Sequence, residues 1–191
     1  MLARIIILEG PDGVGKTTLA KKFKELYPNS YYIHLRVHNN MELWHTAAAR
    51  LAVKMKEKGK LVILDRHWPS EQCYSYIYRE GPSYDAYSIW RYLNREGAIY
   101  VWCIPDDTKK VKDNHNRNKK IRHEEYDDID KVIDMYLNCW EDKHPKENSF
   151  LSLLCPLKDR KDFVRYDMFK EGHDLNRVVE KIEETAFVNS I

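Results

Sequence analysis

LEGPDGVGKTT, residues 8–18, decides the fold. Its core, Gly10 to Thr17, fits the spacing G-x-x-x-x-G-K-[ST] without a mismatch. Gly10, Gly13 and Gly15 tolerate dihedrals and close approaches that a Cβ forbids, so the backbone through Val14 can wrap an anion. A helix opening at Lys16 adds free N–H groups and the positive end of its dipole. On that reading Lys16 reaches the β- and γ-phosphates of ATP, the Thr17 hydroxyl binds Mg²⁺, and Thr18 continues the cradle. An ordinary glycine turn between strand and helix is the competing reading. The flanks favour phosphate: a buried strand precedes the glycines and an amphipathic helix follows them.

Working outward, short apolar runs alternate with longer amphipathic ones. Strands are expected at 3–9, 31–37, 60–66, 98–104 and 162–168. Helices are expected at 16–27, 41–58, 69–79, 84–95, 126–142 and 174–187. The 41–58 helix carries Leu43, Ala47, Leu51 and Met55 on one face and stops at Gly59. Residues 143–162 read as an excursion over the surface. Five strands joined by crossover helices make a three-layer α/β/α fold with a five-stranded parallel sheet. Such folds bind ligands at the carboxyl ends of their strands. The glycine loop, the segment after Arg36 and the pair Asp65-Arg66 all fall there.

The chain has 191 residues and is read as a single domain, 1–191. A net charge of +2 gives no strong signal for nucleic acid. Cys73, Cys103, Cys139 and Cys155 lie far apart without a C-x-x-C pair and read as reduced thiols. No stretch is long and apolar enough for a membrane span, and the N-terminal apolar run is too short for a signal peptide. A cytoplasmic protein is the expectation. The eight histidines show no metal-binding spacing, and His34 reads as a packed residue.

A guanine-nucleotide switch would need N-K-x-D, but Asn118-Lys119-Lys120-Ile121 lacks the aspartate, and no D-x-x-G follows the third strand. A small-molecule kinase fits better. Asp65 ends the third strand, where a carboxylate can hold Mg²⁺ or take a proton from an attacking oxygen. Arg66 can fork onto a phosphate. Alternatively the two cap the strand and pair on the surface; the phosphate loop favours function.

Two strings together carry a resemblance. E-G-x-D-G-x-G-K-T-T at 9–18 and D-R-[aromatic]-x-x-S at 65–70 are similar to the thymidylate kinase family of nucleoside-monophosphate kinases, with a weaker match over 117–127. The resemblance implies Mg²⁺-ATP as donor, a deoxynucleoside 5′-monophosphate as acceptor, and commonly a homodimer. It implies that Asp12 contacts the acceptor's sugar hydroxyl; capping of the loop backbone is the alternative role. It implies that Arg66 clamps the acceptor phosphate, aided by Arg36. A lid at about 106–124, rich in Lys and Arg, would close over the transferred group. Some family members carry an arginine in the loop where this chain has Val14. The lid would then supply that charge through Arg117 or Arg122, and the sequence does not choose between them.

The chain departs from the family at the acceptor base. Ser70-Glu-Gln-Cys-Tyr-Ser75 replaces the family's S-x-x-A-Y-Q, and His67 stands where tyrosine is usual. Ser70, Gln72 and Tyr74 could read a base edge, and Trp68 or Tyr74 could stack on it. Tyr74, Ile77 and Tyr78 could equally be core. The leading expectation is phosphorylation of dTMP or another dNMP. A deoxynucleoside kinase is the first alternative, and a kinase or binding module acting on nucleic acid the second.

Overall fold

The computed structural model describes residues 4–122, 128–141, 154–170, 178–180 and 182–184, with the side chains of 118–122 excepted. Strand β1 (Ile5–Glu9) is buried at every position, which is what an unbroken run of Ile and Leu requires of a strand covered on both faces. It pairs in parallel with β3 (Val62–Asp65) on one side and β4 (Ile99–Cys103) on the other. The strands β2 (Tyr31–His34) and β5 (Phe163–Tyr166) complete a five-stranded parallel sheet in the order β2-β3-β1-β4-β5. Helices pack on it to give the three-layer α/β fold. The strands are shorter than the sequence suggests, chiefly because Leu35 to Val37 and Arg66 leave the ladder to form the site.

Register aligns the chemistry. Leu8 lies opposite Asp65, and His34 opposite the same Asp65, so the carboxyl ends of β1, β2 and β3 meet at one edge. Trp102 faces Glu9 across the β4 side.

Helix α1 (Lys16–Leu26) buries Leu19, Ala20 and Phe23. Helix α2 (Met41–Glu57) is capped by Asn40, whose side chain accepts the Leu43 N–H at 3.0 Å. Its buried face is Met41, His45, Ala48, Ala49, Ala52 and Val53, not the face through Leu43 and Ala47; Leu43 is 61% exposed. Alanines at 48, 49 and 52 let the helix axis approach the sheet closely, and that outweighs burying one leucine near the helix end. Each fully buried Ile or Leu still contributes about 1.5–3 kcal/mol, and β1, β3 and β4 hold most of them.

Beyond β3 come α3 (Trp68–Tyr78) and α4 (Tyr87–Arg95). The basic stretch expected as a lid folds as helix α5 (Thr108–Arg122), since no Gly or Pro interrupts it. Helix α6 (Ile129–Glu141) follows, burying Ile129, Val132, Ile133, Tyr136 and Cys139. Most of the expected 143–162 excursion lies outside the described residues; its described part includes a short 3-10 turn, Leu157–Asp159. Of the closing helix, 178–180 and 182–184 are described and helical. None of the four cysteines is in a disulfide, and Cys73, Cys103 and Cys139 are buried. Among the described residues no helix is long and apolar enough to cross a membrane.

Candidate active site

The loop between β1 and α1 is closed by its own lysine. Lys16 Nζ donates to the carbonyls of Gly10 (2.8 Å) and Pro11 (2.6 Å), and only 7% of the residue is exposed. Burial, with Arg66 nearby, pulls its ammonium below the ordinary value, while Asp12 and Asp65 oppose that. No side chain caps α1, whose first turn holds no acid, so its leading N–H groups are available to an anion. Gly13 has φ of 85°, and a Cβ there would lie 2.9 Å from the Val111 carbonyl of α5. Gly15 has φ of 82°, and its Cβ would run into the Met168 thioether after β5. Val14 is 1% exposed, packed inward, so a charge at this position would be buried.

Asp65 anchors the edge of β3. Its Oδ2 accepts from Tyr32 Oη (2.8 Å) and Thr17 Oγ1 (3.2 Å) and lies 3.3 Å from His34 Nδ1. His34 therefore meets the site, which corrects the reading of it as a packed residue. Burial pushes the Asp65 carboxyl up, but these contacts and the Lys16 charge bring it down to about 2. Its Oδ1 is buried without a hydrogen-bond partner. A lone anionic oxygen beside the Thr17 hydroxyl suits a hard cation held partly by phosphate and water. The residues present thus fit Mg²⁺.

Arg66 follows with φ of 72°, a left-handed conformation rare for a residue with a Cβ. That turn aims its guanidinium back over the loop. Nη1 donates to Ser70 Oγ (3.1 Å) and Gly10 O (3.4 Å); Nη2 donates to Asp12 Oδ1 and to Tyr74 Oη (3.3 Å). Tyr74 Oη in turn donates to Asp12 Oδ2 (3.1 Å). Burial pushes the Asp12 carboxyl up, yet Arg66, Lys16 and these hydrogen bonds hold it below the usual carboxylate range. Tyr74 is therefore not merely core: its ring packs inside while its hydroxyl faces the site.

The network has a root that the sequence reading missed. Glu9, fully buried at the end of β1, accepts the His67 N–H (2.6 Å), Ser70 Oγ–H (2.5 Å) and Tyr136 Oη–H (3.3 Å). Burial lifts its carboxyl to about 7, although Ser70, Arg66, His67 and Lys16 oppose the rise. Ser70 is thus engaged with Arg66 and Glu9, rather than presented to a base. Gln72 is 1% exposed and lies outside the cavity lining, its side-chain amide without a hydrogen-bond partner.

A cavity of about 860 Å³ unites these groups, within the size range of small-molecule sites. Asp12, Gly13, Gly15, Lys16, Thr17 and Thr18 form one side; Asp65, Arg66, Ser70 and Tyr74 form another. Arg36 joins from the segment after β2 and Arg117 from α5. Gly10 and Val14 sit behind the lining. Arg117 Nη2 donates to Asn114 Oδ1 (2.6 Å), and Asn114 Nδ2 donates to Gly13 O (3.1 Å). Arg122 closes α5, and its side chain falls outside the described residues. Glu71 and Arg79, which no motif marks, also line the cavity. Among the described residues no group of three or more His, Cys, Asp or Glu could hold a metal by itself.

Compared with protein-family models and with curated proteins, the chain finds no match. Among solved structures it is similar to the YorR protein of Bacillus subtilis, solved in complex with phosphorylated GDP. Identity is 18%, the TM-score is 0.62, and the match covers 94% of this chain and 95% of that one. A gluconokinase from Sinorhizobium meliloti 1021 has 11% identity and a TM-score of 0.48, over 96% of this chain and 91% of that one. The deoxyadenosine kinase of M. mycoides with bound dCTP has 14% identity and a TM-score of 0.48, over 97% and 99%. The first likeness shows the fold: a five-stranded parallel sheet flanked by helices.

Proposed function

We propose that the protein transfers the γ-phosphoryl group of ATP to a deoxynucleoside 5′-monophosphate, dTMP or another dNMP. The observation that carries this reading is Arg66, held by Asp12, Ser70 and Tyr74 on the wall of the cavity that Lys16 and Thr17 also line. A fixed guanidinium opposite a phosphate cradle suits an acceptor that is itself an anion. Arg36 adds a second cation on the same cavity.

An oxygen of the acceptor phosphate bonds to the γ-phosphorus as the bond to the bridging β,γ-oxygen breaks, and ADP leaves. The acceptor oxygen is already ionised near neutral pH, so no base is required. Lys16 and the N–H groups of the loop and α1 bind the β- and γ-phosphates, and Arg117 approaches from α5. Asp65 and Thr17 would hold Mg²⁺, which neutralises phosphate charge when bound. Arg66 and Arg36 would orient the acceptor phosphate, and Asp12, beside Arg66, would meet the sugar hydroxyl.

A deoxynucleoside kinase would need a carboxylate to accept the 5′-hydroxyl proton. Asp65 is the carboxylate at the carboxyl end of β3 that such a reaction would use, so the choice of acceptor rests on assay. A coupled ADP-release assay with the four dNMPs and their nucleosides tests this. Turnover of at least one dNMP well above its nucleoside is expected; no ADP release with any dNMP overturns the proposal. A homodimer, which the family resemblance also implies, is checked by light scattering on the purified chain.

A further inference from the structure

We propose that Glu71 and Arg79, an ion pair on the cavity wall, read the acceptor's base and select guanine. The inference rests on the monophosphate-kinase reading of the same cavity. Ser70 and Tyr74, one turn apart on α3, join Arg66, in the left-handed turn before that helix, in one hydrogen-bonded group with Asp12. Glu71 follows Ser70 on α3, so a base attached to a phosphate held at Arg66 would lie in the cavity that Glu71 and Arg79 also line.

The pair is built, not incidental. Glu71 Oε2 lies 2.7 Å from Arg79 Nη2, and Oε1 accepts from Ser83 Oγ at 3.3 Å. The Glu71 side chain is 1% exposed and that of Arg79 40%, yet both line the cavity. A carboxylate offers about four lone-pair positions, and these partners use two. His45 and His67, with ring centroids 4.8 Å apart, line the wall beside it. Burial keeps both imidazoles neutral near pH 7, so neither adds a cation that would compete for the carboxylate.

The bases differ in what they offer this pair. Guanine presents two parallel N–H donors, N1–H and the 2-amino group, to the two carboxylate oxygens. Its O6 lies alongside as an acceptor for Arg79, and such bidentate, charge-assisted contacts are the strong ones. Thymine flanks its single N–H with two carbonyls, which would face the carboxylate and be repelled. Adenine and cytosine each offer one amino group beside a ring acceptor, enough for one carboxylate oxygen and one Arg79 N–H. Guanine adds a second N–H for the other carboxylate oxygen and so makes the most contacts with the pair.

The test measures kcat/KM for dGMP, dAMP, dCMP and dTMP with the full chain. dGMP should exceed each of the others by roughly tenfold or more, the range of one good bidentate contact. Deoxyinosine monophosphate, which lacks the 2-amino group, should fall roughly tenfold below dGMP. E71Q, which replaces one carboxylate oxygen with an N–H donor, should lose most of the dGMP preference, with kcat/KM falling for dGMP and rising for dTMP as the repulsion is relieved. Equal or better turnover of dTMP, dCMP or dAMP overturns the assignment, as does deoxyinosine monophosphate matching dGMP. The inosine arm needs no variant and stands even where E71Q does not fold. If no monophosphate is phosphorylated, the kinase reading fails, and calorimetric binding without ATP still judges the base. Tighter dGMP than dTMP then supports the pair, and equal or weaker dGMP overturns it.

Discussion

The two ends of the cavity are held by different means. At the phosphate loop the partners are backbone groups: the Lys16 ammonium donates to its own loop's carbonyls, and Gly13 lies against the Val111 carbonyl of α5. At Arg66 side chains do the holding, through Asp12, Ser70 and Tyr74, with Ser70 passing the connection to Glu9 and Tyr136. Backbone N–H groups bind any polyphosphate alike, so the loop can be generic. A buried side-chain network is specific to its members and is sensitive to each of them.

The sharpest way to break the contrast is at Lys16. Lys16→Ala is expected to lower kcat by about 10²–10³ fold, the range for losing one preorganised positive group, and to lower the melting temperature as well, because the Gly10 and Pro11 carbonyls lose their donor. Arg66→Lys keeps the charge but loses the fork. It should reduce kcat/KM for the acceptor by about 10² fold and leave KM for ATP near its original value. If both substrates suffer equally, the two ends are not separate. Gly13→Ala probes the backbone side: strain at positive φ and the close α5 carbonyl should cost about 1–2 kcal/mol in urea unfolding.

Glu9 gives the most diagnostic effect, because it is read in pH dependence rather than in activity. Its carboxyl is lifted from 4.5 to about 7 in the folded chain. Between those pH values the unfolded chain ionises this group while the folded chain retains the proton. Its contribution to stability is therefore full below the window, falls as pH rises through it, and levels off above about 7. Glu9→Gln should flatten that fall, by on the order of 2 kcal/mol between the two ends. Urea titrations at pH 5 and pH 8 read it, and parallel behaviour of the two proteins would refute the assignment.

The same contrast explains what the sequence discloses. The loop is contiguous, so its glycines, Lys16 and Thr17 are legible as a string, and alternating apolar runs reveal the five strands. The wall around Arg66 joins Glu9, Ser70 and Tyr136 from three elements, and no local spacing announces it. Glu71 and Arg79 are likewise eight positions apart with no motif between them. His34 was misjudged because only the register opposite Asp65 brings it to the site. The buried face of α2 was misjudged because a tally of large apolar residues undervalues alanines that let a helix sit close to a sheet. The helicity of α5 follows from local propensity, but its contact with Gly13 is tertiary.

The left-handed turn at Arg66 carries a lesson for protein engineering. A stability-driven redesign that scores each position by backbone fit would place glycine there and remove about 1–2 kcal/mol of local strain. The same substitution would delete the guanidinium from the cavity and leave Asp12 without its cation. Position 66 is where improving the scaffold and keeping its activity demand opposite residues. It should be frozen before any other is optimised.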